Sequence, residues 1–375
     1  MPLDSVDDQA GLLSLNTDFT QSSSGGFLTG YRNSENTMMT GVGRTGGART
    51  TCPTLEANRT GLAKLSNNQL AMVTQSGGDP VQIKVFDSNL SATAVYSVDF
   101  ATSGYSANLV ADGTDFYVSS MATPGVDDTW RVQQYSVSGA TFAATGFSYQ
   151  TPVAHACGRP NTLLFDKNNG RKQFLTGTYS STGTGYGVCT TSYTNPVPTL
   201  TYPNPTSYGY GMAIADNGAT LVYSGPNGND GSINIYFWNL ATTLVSTLHN
   251  AGLGVVTINS ITGAGTTGWT YTKHALIDSS GRLVLIGLNS LNKNGFIARF
   301  ILGPTSTTLD TSFNSTGVKL LNSLSQLSEY VDVMPHHIVE DSSGNYVIVG
   351  HAKTSASDTT SDGWILRINS AGAGP

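Results

Sequence analysis

The sequence predicts an all-β chain, a β-propeller of seven four-stranded blades, and two observations carry that expectation. The stretches "DSSGRLVLIG" (278–287) and "DSSGNYVIVG" (341–350) are near copies set 63 residues apart. Weaker copies of the same strand–turn–strand grammar run back through the chain at spacings of roughly 50 to 62 residues. Four short strands in a unit of that length match the period of a propeller blade, whose two faces are covered by its neighbours in a ring.

Each element of the unit has a local reason. In residues 274–322, "HALID" is a short strand-like run, and "DSSG" is a turn, with Asp suited to its first position and Gly to its last. "RLVLIG" is rich in β-branched and apolar residues without alternation, as in a strand covered on both faces. "GFIARFIL" is a third strand, and "TLDTSFNSTGVKLLN" ends in a fourth. Upstream, the turn recurs at Asp216, Asp166, Asp112 and near Asn67, and third strands recur as "GSINIYFWN", "TWRVQQYSV", "PVQIKVFDS" and "DGWILRINS". Constant strands with variable spacing mean that the loops differ and the blades do not.

The two ends predict how the ring shuts. The last unit reaches its third strand, "DGWILRINS", and has no fourth. Residues 3–16, "LDSVDDQAGLLSLN", align without a gap on 309–322, "LDTSFNSTGVKLLN". Residues 1–16 are therefore expected to be the closing strand of the last blade, zipping the ring shut. Residues 17–60, in which "SSSGGFLTGYRNS" echoes "KNNGRKQFLTGTYSS", read as a degenerate first blade, and 61–375 as six blade units. If 17–60 are only an insertion, the count is six. Either way residues 1–375 read as one domain.

The pattern "IDSSGRLVLIG … GFIARFI … LDTSFNSTG" resembles the delta-60 repeat family, most closely over 278–369 and in the 3–16 fragment. The resemblance implies a propeller of the kind found in bacterial and phage surface or secreted proteins. It implies no catalytic residue.

The remaining motifs favour structure over chemistry. "GVGRTGG" (41–47) and "GAGTTG" (263–268) match GxGxxG, but neither opens a helix, which the dinucleotide fingerprint requires. "GVDDTW" (125–130) is similar to the Asp-box of sialidase propellers but lacks its Gly, and the chain has only four Glu for glycosidase chemistry. "NGNDGS" (227–232) offers oxygen ligands without the length of a calcium loop. Cys52, Cys157 and Cys189 form no metal spacing. Catalytic, cofactor-binding and metal residues are accordingly expected to be none. The weak candidates are His274 and His337, each four residues before its turn Asp, with His336 beside the second. If the first strand of each blade lines the channel, they face it, as water-bridged imidazoles or a loose ion site. Arg299 and Arg367 also share a register, with Lys84 in a like position, and read as structural ion pairs or covers.

Composition narrows the partners. Charged residues are 11% and the net charge is −6, with 18 scattered Lys and Arg, so a nucleic-acid partner is not expected. The N-terminal stretch is acidic rather than signal-like, and no apolar run approaches the ~18 residues of a membrane span, so membrane insertion is not expected. A surface solvated by hydroxyls and amides suits virion and secreted proteins. The expected function is therefore a non-enzymatic structural or adhesive module, docking or receptor-binding on a virion (a phage tail or capsid appendage) or cell surface. Its partners would be other virion or surface proteins and host-surface glycan. The alternatives are a secreted carbohydrate-binding propeller and a propeller hydrolase or lyase with an axial site.

Overall fold

The computed structural model describes the strands given below, together with the turns and loops within 60–67, 69–74, 108–121, 270–289, 294–303, 306–340, 344–355 and 362–374. Among the described residues the strands form seven antiparallel sheets, met one after another along the chain. The first holds β1 (Ser5–Asp7), β2 (Leu12–Thr17), β3 (Gly26–Arg32) and β4 (Thr37–Thr40), in that order. The second holds β5 (Thr60–Lys64), β6 (Leu70–Thr74), β7 (Gln82–Phe86) and β8 (Ala92–Ser97). The third holds β9 (Asn108–Asp112), β10 (Asp115–Met121), β11 (Trp130–Ser138) and β12 (Thr141–Gln150).

The fourth sheet is β13 (Leu164–Asp166), β14 (Gln173–Tyr179), β15 (Tyr186–Ser192) and β16 (Thr199–Asn204). In the fifth, β17 (Gly211–Ile214), β18 (Thr220–Asn227) and β19 (Ser232–Asn239) are followed by β20 (Leu244–Val245) and β21 (Val255–Ile258), which both pair with β19. The sixth repeats that plan: β22 (Thr270–Ile277), β23 (Leu283–Asn289) and β24 (Gly295–Leu302), then β25 (Thr307–Leu309) and β26 (Val318–Leu320), both on β24. The seventh has three strands among the described residues: β27 (Asp332–Glu340), β28 (Tyr346–Lys353) and β29 (Asp362–Ile368).

The strands fall into two compact units. One is Met1–Leu163 with Thr178–Ser181 and Thr359–Ile365. The other is Leu164–Gly177, Thr182–Asp358 and Leu366–Pro375. Each buries its own apolar cluster. In the first, Ala71, Ile83 and Val85 of the second sheet pack on Phe116, Val118 and Tyr135 of the third. In the second, Ile233 and Ile235 of β19 pack on Ala275, Leu283, Leu285, Phe296, Ala298 and Phe300 of the sixth sheet. Every residue of β23 is buried, which is why its sequence shows no alternation.

The first strands of successive sheets lie side by side: β5 beside β9 in one unit, and β13, β17, β22 and β27 in succession in the other. Among the described residues, the hairpin turns after β9 and β22 are the turns read from the sequence at Asp112 and Asp278. Gly281 N–H donates to Asp278 O at 2.8 Å, and Asp278 Oδ1 accepts from the backbone of Ser280 and Arg282 at 3.0 and 2.9 Å. Gly281 and Gly344 sit at φ of 73° and 75°, the left-handed region that an L side chain enters only at a cost.

The closing strand does not form as the alignment predicts. Leu12–Thr17 pairs with β1 on one side and with β3 on the other, where Leu13 faces Gly30 and Leu15 faces Leu28. The strands Ser5–Asp7 and Leu12–Thr17 thus pair within the first sheet, with Gly26–Arg32, and not with the seventh. The physical reason lies in what 309–322 does with the shared motif. Phe313 is fully buried beneath Arg299, and Ser312 hydrogen-bonds Asp310. The aligned positions carry Asp7 and Val6. A carboxylate cannot take the buried place of the phenyl ring, and a local hairpin closes with far less chain entropy than a pairing across the sequence.

Replacing Gly281 or Gly344 by Ala should cost about 1 kcal/mol each, from the backbone conformation alone. Gly295→Ala should cost more, roughly 2 kcal/mol or above. Its Cβ would stand 2.6 Å from Val333 O and 3.0 Å from Pro335 Cδ of the next sheet, and backbone must move to admit it. Urea unfolding of the three variants checks the order. Equal losses at all three would remove the close-approach argument.

Candidate functional site

Two groups of polar side chains stand out in the second unit, and they differ in kind. The first lies on the adjoining strands β22 and β27. Each carries a register shift at the same point of the repeat: Lys273 is looped out between Thr272 and His274, and His336 between Pro335 and His337. Opposite the two shifts stand Gly287, across from Thr272, and Gly350, across from Pro335. A bulge re-aims the side chains beside it. It brings His274 and His337 into equivalent places on neighbouring strands, as the sequence register predicts; the His336 and His337 side chains lie outside the described residues. Thr272 is fully buried, and Lys273 and His274 are half-buried.

Burial lowers the His274 pKa to about 4, so the imidazole is neutral at pH 7. Its Nδ1 is shielded from solvent. A neutral imidazole is the form that accepts a proton or ligates a metal. Among the described residues, however, no group of three His, Cys, Asp or Glu is placed to hold a metal ion.

At the end where β22 and β27 begin, three chain segments meet. Asn289 is fully buried and its N–H donates to Asn294 O at 3.1 Å. Asn322 Nδ2 donates to Asn294 Oδ1, and Gly295 lies against Val333 O and Leu321. This amide-rich rim was not singled out by sequence reasoning. Its only signal was the polar run "NSLNKN" between two buried strands.

The second group is a buried ionic network. Arg299, 1% exposed, donates from Nε to Asp310 Oδ2 at 2.8 Å, from Nη2 to Ser312 Oγ at 2.9 Å, and from Nη1 to Tyr346 OH at 3.2 Å and to Ser370 O. Its guanidinium lies 4.9 Å from the centre of the Phe313 ring. Tyr346 OH donates in turn to Asp278 Oδ2 at 2.7 Å, which also accepts from Arg282 Nε at 2.7 Å.

Burial pushes the Tyr346 pKa up to about 12, so the phenol keeps its proton and passes the bond on. Burial acts against ionised Asp310, but the hydrogen bonds from Ser312 and the Arg299 charge outweigh it and hold the carboxyl below its usual range. Arg299 is thus the structural ion pair read from the repeat. Sequence reasoning missed Tyr346, which nothing in the repeat marks, and the role of Asp310, which the recurring "LDTSF" could have signalled. With every member bonded to another, the network holds sheets together and offers no open position to a substrate.

No family model matches the chain, and no curated protein matches it in sequence. Its likenesses are to solved structures. A luciferin-regenerating enzyme superimposes with a TM-score of 0.51 at 12% identity, over 84% of this chain and 91% of that one. The Dos1 propeller gives 0.52 at 9%, over 98% and 80%. A Bacteroides fragilis protein assigned as a 6-phosphogluconolactonase gives 0.53 at 9%, over 99% and 95%.

The chain is all-β and of propeller type. At these identities the likeness establishes the fold. It also overturns the expectation of a non-enzymatic display or docking module. The first of these structures is an enzyme and the third is assigned as one, so the propeller hydrolase or lyase, given above as an alternative, fits the comparison better.

Asp310→Asn should lower stability by about 3 kcal/mol at pH 7, because it leaves the Arg299 charge buried without its counter-ion. The depressed carboxyl pKa contributes stability above the ordinary value of 3.8 and loses it as pH falls through the lower folded value. In the variant that part of the acid-induced loss should vanish. Denaturant titrations between pH 7 and pH 2 measure both effects.

Proposed function

We propose that this chain is an enzyme of propeller fold, a hydrolase of neutral lactones or esters whose reaction centre lies on the first strands around His274. The observation that carries the reading is the His274 imidazole beside the β22 bulge, its Nδ1 shielded from solvent and its neighbour strand β27 bulged at the same point, in a fold shared with enzymes. The same reading takes the seven sheets as seven blades of one propeller and the sixth and seventh as repeats of the delta-60 kind.

The chemistry asked of His274 is modest. Water adds to the substrate carbonyl while the imidazole takes its proton. The carbon–oxygen bond to the leaving alkoxide then breaks, and the imidazolium returns the proton to that oxygen. A base with a pKa of about 4 is weak at pH 7 but stays in its working form far into acid. The part-exposed amides of Asn294 and Asn322 supply neutral hydrogen-bonding groups suited to hydroxylated, uncharged substrates.

A panel of sugar-derived lactones and aryl esters, followed by acid release at constant pH, tests the proposal. Turnover should rise through pH 4 and level off above it, and His274→Ala should lower kcat by roughly 100-fold or more. Absence of turnover across the panel, or an unchanged rate in the variant, would sink the assignment.

A further inference from the structure

We propose that residues 369–374 are a latch, which fastens the seventh sheet to the sixth and opens as a unit ahead of the rest of the fold. The turn is built first by its own residues. Asn369 Oδ1 accepts from the N–H groups of Ala371 and Ala373 at 3.0 and 2.9 Å, and the Asn369 N–H donates to Ala373 O at 2.9 Å. So folded, the turn presents two outward carbonyls to the loop that follows β25. Ser370 O accepts from Arg299 Nη1, and Ala371 O accepts from the Asn314 N–H at 2.8 Å.

Between these carbonyls and the loop there is room only for glycine. Gly372 is buried at φ 86°, and a Cβ there would stand 2.9 Å from Asn314 Cβ and 3.2 Å from Phe313 Cε2. At Gly374 a Cβ would stand 2.9 Å from Leu324 Cδ2, the movable end of a side chain. β29 runs directly into the turn, and the turn grips the neighbouring sheet through main-chain carbonyls.

Three features make this the part that lets go first. Asn369, Ser370, Ala371 and Ala373 are exposed, so few buried apolar contacts hold the turn, whereas β23 and most of β24 are buried throughout. The receiving loop is strained, with Asn314 and Ser315 adjacent at φ of 48° and 55°. Opening also admits water to Arg299, a buried charge that is costly to keep out of water. It leaves Nε and Nη2 still bonded to Asp310 and Ser312.

Hydrogen exchange read by mass spectrometry on the full chain tests the latch, with two variants. Gly372→Ala wedges the turn off the loop. Asn369→Ala loosens the turn without touching the loop. Both should speed exchange in 310–317, where the Asn314 amide reports directly, and in 366–373, by about tenfold or more in Gly372→Ala. Protection in β22, β23 and β24 should stay as in the parent. Unchanged exchange in 310–317 in both variants would overturn the proposal. So would loss of protection in β22, β23 and β24 together with it, because the turn would then be part of the core.

Discussion

A guanidinium with five N–H donors cannot be buried unless those donors are met, and Arg299 is 1% exposed at the join of the last two sheets. The surrounding structure is arranged to meet them. The "LDTSF" segment turns Asp310 and Ser312 inward onto Nε and Nη2 and lays Phe313 under the guanidinium plane. Holding that segment in place forces two non-glycine residues, Asn314 and Ser315, into the left-handed region. Their conformation is compensated locally by Asn314 Nδ2 donating to Val318 O at 2.6 Å. From Nη1 the chain of bonds continues through Tyr346 to Asp278 and Arg282, and so reaches the hairpin turn that opens β23. One buried charge thereby ties a turn, a loop and the strand β28 of the next sheet into a single cooperative network.

That dependence explains which parts of the molecule could be read from its sequence. The Asp-x-x-Gly turns were legible because their chemistry is local: the Asp278 carboxylate caps its turn, and Gly281 and Gly344 take the positive φ in the two copies. The strands were legible from runs such as "RLVLIG", where burial on both faces suppresses alternation. The N-terminal copy was misread because five coincident residues were weighed equally, although the buried place belongs to Phe313. With Asp7 and Val6 at the aligned positions of Phe313 and Ser312, no clasp for an arginine can form, and the segment pairs with its neighbours instead. Identity at turn residues shows that a turn recurs. Identity at the buried ring would have shown that a docking recurs.

The candidate site was legible only as a register. His274 and His337 were placed four residues before their turn aspartates, and the strands β22 and β27 keep them equivalent. The bulges at Lys273 and His336 left no mark in the sequence, because an extra residue on one strand shows only against its partner's count. Nor could the lowered pKa of His274 be foreseen, since it comes from the sheets that cover the ring rather than from any charged neighbour in sequence. Tyr346 is the mirror case: apolar by its strand position, polar by the one atom that touches Asp278 and Arg299.

The two polar groups divide the work of the second unit by the way they handle desolvation. In the Arg299 network burial is offset by pairing, so every charge is locked and the geometry is fixed. At His274 burial is offset by neutrality, so the ring carries no charge to be locked and keeps the capacity to take a proton. The first arrangement stiffens the seam between sheets. The second leaves chemistry available on a strand held firm by that seam. A site of this kind needs a rigid frame more than a mobile lid, because a weak base contributes only when its proton donor is held within hydrogen-bond reach. If His274 acts as proposed, the buried arginine supplies the rigidity its strand needs.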